Sequence, residues 1–297
     1  MTGTAVAVAC ALAAAVLIAV GSVAQQRSAA AVSTSDSLIG GVLRSPRWWA
    51  GIGGDGGSYL LQIAALAFGS VLLVQPLLVT SLLFALPMAA ATGGHRITRT
   101  TWLLAAGLCV ALAVFLIVGN PTAGSGDPAA AAWALPLGIV VAVTGATIVA
   151  AVVAPGLRAL AFGTAGGILY GVTAAFTKHV TDLFARGLSA VLGSWQSWTL
   201  IVAGAAAVYL QQLAFQAGAL TASLPALTVG EPLAAIFLGM TVLGERLHVD
   251  GPRLLLVLAA IAGMLATTVA LSRQQAAGTE PVTESGTTPP PETRRRR

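Results

Sequence analysis

The sequence predicts an all-α protein, a polytopic transmembrane helical bundle of about nine spans built from two inverted-topology repeats. Three observations lead there. Of the 297 residues 57% are hydrophobic and only 8% charged, nine separate stretches are long and apolar enough to cross a bilayer, and the chain matches itself when shifted by 150 positions. Soluble domains carry roughly 25% charged residues, so ten acidic and fifteen basic side chains cannot coat a water-facing surface of this size. That excludes a soluble catalyst. The formal charge of +5 does not point to nucleic acid, because four of the positives are Arg294 to Arg297 at the end of the chain, where anionic lipid is the simpler partner. Cys10 and Cys109 lie in apolar runs without companion ligands, so no disulfide framework, metal site or cofactor is expected.

A helix rises 1.5 Å per residue, and about 20 residues therefore cross about 30 Å of hydrocarbon. The windows that satisfy this are 4–24, 52–68, 70–91, 101–119, 133–153, 158–178, 197–216, 219–243 and 253–272. Inside lipid each must be helical, since its backbone polar groups have no other partners. The first has no positive flank and is longer than a signal-peptide core, so it reads as a retained span. After it, the middle of segment 25–51, at 37–43, is too short to cross and is expected at the interface, with Trp48 and Trp49 in the headgroup layer. The glycine-rich run Gly51–Gly57 follows no strand and precedes no Lys-Ser/Thr, which argues against a phosphate loop and reads as a helix break. The stretch 179–196 reads as a second interfacial segment.

From 273 onward the chain is rich in Thr, Pro and Glu, cannot bury enough surface to fold, and is expected to be a disordered cytoplasmic tail. With the N-terminus outside, Arg27, Arg44, Arg47, Arg96, Arg99, Arg158, Arg273 and the four terminal arginines face the cytoplasm, and Lys178, Arg186, Arg246 and Arg253 face outward. That asymmetry orients the bundle in a cell inner membrane.

The 150-residue shift superposes the scarcest residues without a gap: Trp48 on Trp198, Tyr59 on Tyr209, Gln62 on Gln212, Gly54 on Gly204 and Arg96 on Arg246. The expected organisation is a first repeat over 1–119, a linker with one extra span over 120–156, and a second repeat over 157–272. Five crossings precede the second copy, so it enters the bilayer from the opposite side. Inverted repeats of this kind are the plan of many secondary transporters, because two similar halves facing opposite ways can open one central site to either side in turn.

The segments Gly230-Glu231-Pro232-Leu233-Ala234-Ala235 and Leu243-Gly244-Glu245-Arg246-Leu247 resemble the signature of EamA-type repeats in the drug/metabolite transporter (DMT) superfamily. In the first half, Trp48-Trp49-Ala50-Gly51 and Val74-Gln75-Pro76-Leu77 resemble the magnesium-transporter NIPA branch. That pattern has acidic residues where this chain has Gly57 and His95, which argues against magnesium as the solute. The resemblance covers roughly residues 4–272 and implies a nine-span carrier of a small metabolite, drug-like compound or cation.

Glu231 is the carboxylate deep in an apolar window, and a charge there costs a few kcal/mol or more. It either binds a cation or coupling proton, or is a neutral acid hydrogen-bonded to a neighbouring helix. Pro232, Pro225 and Pro76 remove backbone N–H groups and are expected to bend their helices. Tyr59 and Gln62 share one helix face, as do Tyr209, Gln212 and Gln216. By symmetry the two stripes are expected to face each other and to contact solute, or to tie helix to helix. Tyr170, with Thr173 and Thr177, forms a similar stripe. Glu245, Arg246, His248, Asp250 and Arg253 lie in one short loop and read as a solvated charge cluster, with gating salt bridges as the sharper alternative. Gly163, Gly166, Gly167 and Gly171 read as close-packing positions. The function expected is transport of a small solute by alternating access, with a possible proton as coupling ion. The rival is a non-transporting membrane scaffold or envelope-assembly protein. No paired carboxylates, His/Cys constellation or HExxH motif supports an enzyme.

Overall fold

The computed structural model describes residues 2–30, 46–93, 98–124, 128–217 and 220–277. Its architecture is all-α. In order, the helices are α1 (Thr2–Ala30), α2 (Pro46–Phe68), α3 (Val71–Leu78), α4 (Ser81–Gly93), α5 (Arg99–Gly119), α6 (Ala130–Val153), α7 (Arg158–Leu183), the six-residue α8 (Leu188–Gly193), α9 (Trp195–Ala217), α10 (Leu220–Thr241) and α11 (Arg253–Ala277). Two two-residue strands, β1 (Pro121–Thr122) and β2 (Arg246–Leu247), pair antiparallel. Every expected window coincides with a helix or, at 70–91, with the pair α3 and α4.

Among the described residues seven helices are long and apolar enough to cross a membrane, not the nine expected: the windows at 52–68 and 70–91 hold only the shorter apolar stretches Gly56–Phe68 and Val71–Ala85. The protein is therefore a multi-pass membrane protein. The expected interfacial segment 37–43 and the tail beyond 277 lie outside the described residues. The stretch 179–196 does not cross: it holds the end of α7, a 3-10 turn at Phe184–Arg186 and α8.

Contacts at the two ends of the bundle fix the direction of each helix. The β1–β2 ladder joins the chain just after α5 to the chain just before α11, and the His248 backbone N–H donates to the Gly119 carbonyl at 3.0 Å. At the opposite end, where α5 begins and α11 finishes, Thr101 donates its hydroxyl to Gln274 Oε1 at 2.8 Å. Trp133, near the start of α6, stacks on Phe176 in the last turns of α7 with ring centroids 4.7 Å apart, so α6 and α7 are antiparallel. The start of α1 lies beside the end of α2 (a Cβ on Gly3 would sit 3.8 Å from the Phe68 carbonyl oxygen), at the ladder end, whereas α7 starts at the other end. α1 and α7, the first helices of the two expected repeats, therefore run in opposite directions. Lys178, Arg186, Arg246 and Arg253 lie at the ladder end, and Arg99, Arg158 and Arg273 at the opposite one, the same two groups into which the expected orientation divides them.

Two expectations about local backbone are corrected. Gly51–Gly57 is helical throughout, not a break. Its glycines instead let α2 approach α1: a Cβ on Gly54 would lie 3.5 Å from Gly21 Cα, and one on Gly57 3.2 Å from a Leu17 methyl. The prolines also act unequally. α10 runs helical through Pro225 and Pro232, whereas after Pro76 the helix turns at Val79–Thr80, where the Thr80 hydroxyl donates to the Leu77 carbonyl at 2.6 Å, and resumes as α4. The third helix of the first copy is thus split, and its counterpart in the second copy is continuous.

Small residues set the tightest contact, between α7 and α10. A Cβ on Gly167 would fall 2.5 Å from the Leu227 carbonyl oxygen and one on Gly163 2.7 Å from that of Ser223, so only glycine admits this approach. Gly166 faces α9 instead, near Ala207 and Gln211. Contacts from α6, α9, α10 and α2 make α7 the central helix: 67% of its apolar window is buried, against 22–33% for the other six long spans.

Candidate functional site

The repeats meet where split α3 crosses double-proline α10. Between them, closed on the far side by α5 and α11, lies a small cleft with a cavity volume of about 30 Å³. Pro76 and Val79 wall it from the first copy, Thr228, Pro232 and Ile236 from α10, and Met264 from α11. The lining is apolar. Proline bears on this geometry: Pro232 offers no N–H to the carbonyl four residues earlier, that of Thr228, on the helix that walls the pocket.

α3 is short and completely capped. Its first N–H groups have no helical partners; those of Val71 and Leu72 donate to Glu245 Oε1 and Oε2 at 2.7 and 2.9 Å, and that of Leu73 donates to Ser70 Oγ at 3.2 Å. Glu245 is 1% exposed. It therefore leaves the solvated cluster expected for its loop, while Arg246, His248, Asp250 and Arg253 are exposed. Desolvation outweighs both hydrogen bonds and the attraction of Lys178, and burial raises the Glu245 carboxyl above the usual carboxylate range, with Asp182 adding to the rise. Lys178 Nζ itself pairs with Asp182 at 2.8 Å. Loop composition gave no sign of this clip. The signal available was the 150-residue symmetry, which sets α3 and the α10–α11 turn at one end of the bundle.

The expected polar stripes do not face each other. Tyr59 turns inward and bonds Thr177 Oγ1 at 2.8 Å, and Gln62 is half-buried beside it on α2. Tyr209, Gln212 and Gln216 lie on the exposed side of α9, with Tyr209 65% exposed. The asymmetry has a packing cause: α2 lies against both α1 and α7, while α9 packs on α7 and leaves its other side open. Tyr170 instead donates to Gln211 Oε1, the neighbour of the expected Gln212. Glu231 is half-buried on the row of α10 that turns toward α7, where a Cβ on Gly171 would clash with the Glu231 carbonyl. It is not among the residues lining the pocket.

Gln75, which precedes Pro76 and is 1% exposed, finds no acceptor for its Nε2. The sequence named it only within the Val74–Leu77 segment and not as a site residue, because an amide in an apolar run carries no periodic signal. Trp133 Nε1 is likewise unpaired within an aromatic group formed with Phe176, His179 and Trp195. Among the described residues no group of three or more His, Cys, Asp or Glu gathers to hold a metal ion.

The chain is 37% identical over 269 residues to an uncharacterised protein of Corynebacterium glutamicum, covering 89% of this chain and 93% of that one. No protein-family model matches the chain, and no solved structure matches it.

Proposed function

The chain belongs to the same family as that Corynebacterium glutamicum protein, and we propose that it is a secondary transporter of the drug/metabolite transporter type, moving a small solute across the cell inner membrane by alternating access. The observation that carries this reading is the pocket at the crossing of two inverted copies, walled by a split helix from one and a double-proline helix from the other. Transporters of inverted-repeat plan bind solute at the repeat interface, often beside an interrupted helix, a part that split α3 takes here, and relative rocking of the copies exposes such a site to each side in turn. The EamA-like segments 230–235 and 243–247 supply the wall and the clip of this site. Its lining offers few hydrogen-bonding partners, and desolvating an unpaired polar group costs about 1–3 kcal/mol, so the favoured solutes have an apolar body. Glu231, one residue from the pocket wall, is assigned the coupling proton. No covalent chemistry is required.

Proteoliposomes under an imposed pH gradient, challenged with a panel of amphipathic metabolites and lipophilic drug-like cations, test the proposal. Gradient-driven uptake is expected, reduced at least tenfold in Glu231→Gln with membrane insertion intact, and blocked by Thr228→Trp, which fills the pocket. Absence of flux with every compound sinks the transporter reading and leaves the scaffold. Wild-type uptake in Glu231→Gln removes the coupling role alone.

A further inference from the structure

We propose that Glu245 is the gate at the ladder end of the bundle: its carboxylate clips α3 of the first copy to the α10–α11 loop of the second, and the pocket opens toward that end only when the clip is undone. Three features carry this. First, both carboxylate oxygens are used on two consecutive backbone N–H groups, at 2.7 and 2.9 Å, across 173 and 174 residues of sequence. The contact joins the two copies and not neighbouring parts of one. Second, the clipped helix is the one detached from its continuation by the turn at Val79–Thr80, so it can move as a rigid piece, and it contributes Pro76 and Val79 to the pocket wall. Third, the clip is tightly seated: a Cβ on Gly239 of α10 would lie 3.0 Å from Glu245 Oε2 and 2.9 Å from a Leu72 methyl, so α10 braces both partners at once.

The groups around Glu245 give the gate a pH response with a definite sign. Lys178 and Asp182 act on it from α7; α3 carries no titratable side chain, α10 presents Gly239 there with Glu231 two turns away, and Arg246, His248, Asp250 and Arg253 of the loop and the start of α11 are exposed. In the closed form, burial raises the carboxyl above its ordinary range. Once the clip opens, water solvates the carboxylate and the ordinary value returns. The closed form therefore holds the proton more tightly, opening releases it, and the open fraction grows as pH rises through the raised value and shrinks in acid. A protonated carboxyl still accepts an N–H on its carbonyl oxygen, so acid does not break the clip.

This deepens the transporter reading and rests on its alternating access, but it is measured without flux. Spin labels at Phe68→Cys and Asp250→Cys, both exposed positions, in a full chain with Cys10 and Cys109 replaced by Ser, report the separation across the clip by electron–electron double resonance in nanodiscs from pH 5 to 9. A second, longer separation is expected, its population increasing several-fold toward alkaline pH. Glu245→Gln, which cannot ionise, is expected to abolish the pH response, and Glu245→Ala to favour the longer separation at every pH. A wild-type distribution that stays constant across this range, or a pH response that survives in Glu245→Gln, overturns the gate whether or not the Ala variant folds. A pH-driven separation without flux for any solute would overturn transport and leave the clip; flux with a constant separation would do the reverse.

Discussion

Residues with the same sequence position in the two copies have different fates, and the difference comes from neighbours. Tyr59 bonds Thr177, whereas Tyr209 is 65% exposed, although the 150-residue register makes them equivalents. A hydrogen bond between membrane helices is typically worth under 2 kcal/mol. Gln211→Leu is accordingly expected to lower thermal stability by about 1 kcal/mol through loss of the Tyr170 bond, with Gln212→Leu neutral; equal melting shifts in the two would refute the assignment. Gln75 makes the opposite prediction. An unpaired buried amide costs about 1–3 kcal/mol, so the near-isosteric Gln75→Met is expected to raise the melting temperature. A destabilised Gln75→Met would show that the amide is satisfied in the native protein.

At the scale of elements, glycine and proline decide which helices touch and which are divided. Gly167 admits the Leu227 carbonyl to a distance that no other residue tolerates. Overpacking such a site costs about 1–3 kcal/mol, and Gly167→Leu is expected to reduce the yield of folded protein in detergent, while Gly156→Leu, with open space around it, leaves it unchanged. The existence of the helices was legible because lipid demands about 20 apolar residues whatever their order. The splitting of α3 from α4 was not. Pro76 and Pro232 both sit inside apolar helices, but α10 is braced along α7 by the glycine contact, while α3 has an independent cap at its start and a turn at its end.

At the scale of the whole molecule, the first helices of the two expected repeats, α1 and α7, run in opposite directions. Inverted direction predicts sidedness. In a background without Cys10 and Cys109, a membrane-impermeant maleimide is expected to label Asp250→Cys and Gly187→Cys from one face of the membrane and Gly156→Cys from the other alone. Labelling of all three from one face would disprove the inversion. Symmetry does not extend to burial, however. α6 has no partner in the other copy and packs on α7, and this extra layer makes α7 the axis of the bundle while α1 stays peripheral.

The sequence by itself determined that the chain is a helical membrane bundle, where seven of its nine expected spans fall, and that scarce residues recur at a spacing of 150. These depend on hydrophobicity, length and repetition, properties a linear chain displays directly. Only the tertiary structure decided that the Tyr209 stripe faces outward, that α3 breaks where α10 does not, and that Glu245 leaves its charged loop to cap a helix of the other copy. Each of these depends on which groups lie within a few ångströms after folding, and a carboxylate buried against two backbone N–H groups 173 and 174 residues away has no local signature to read.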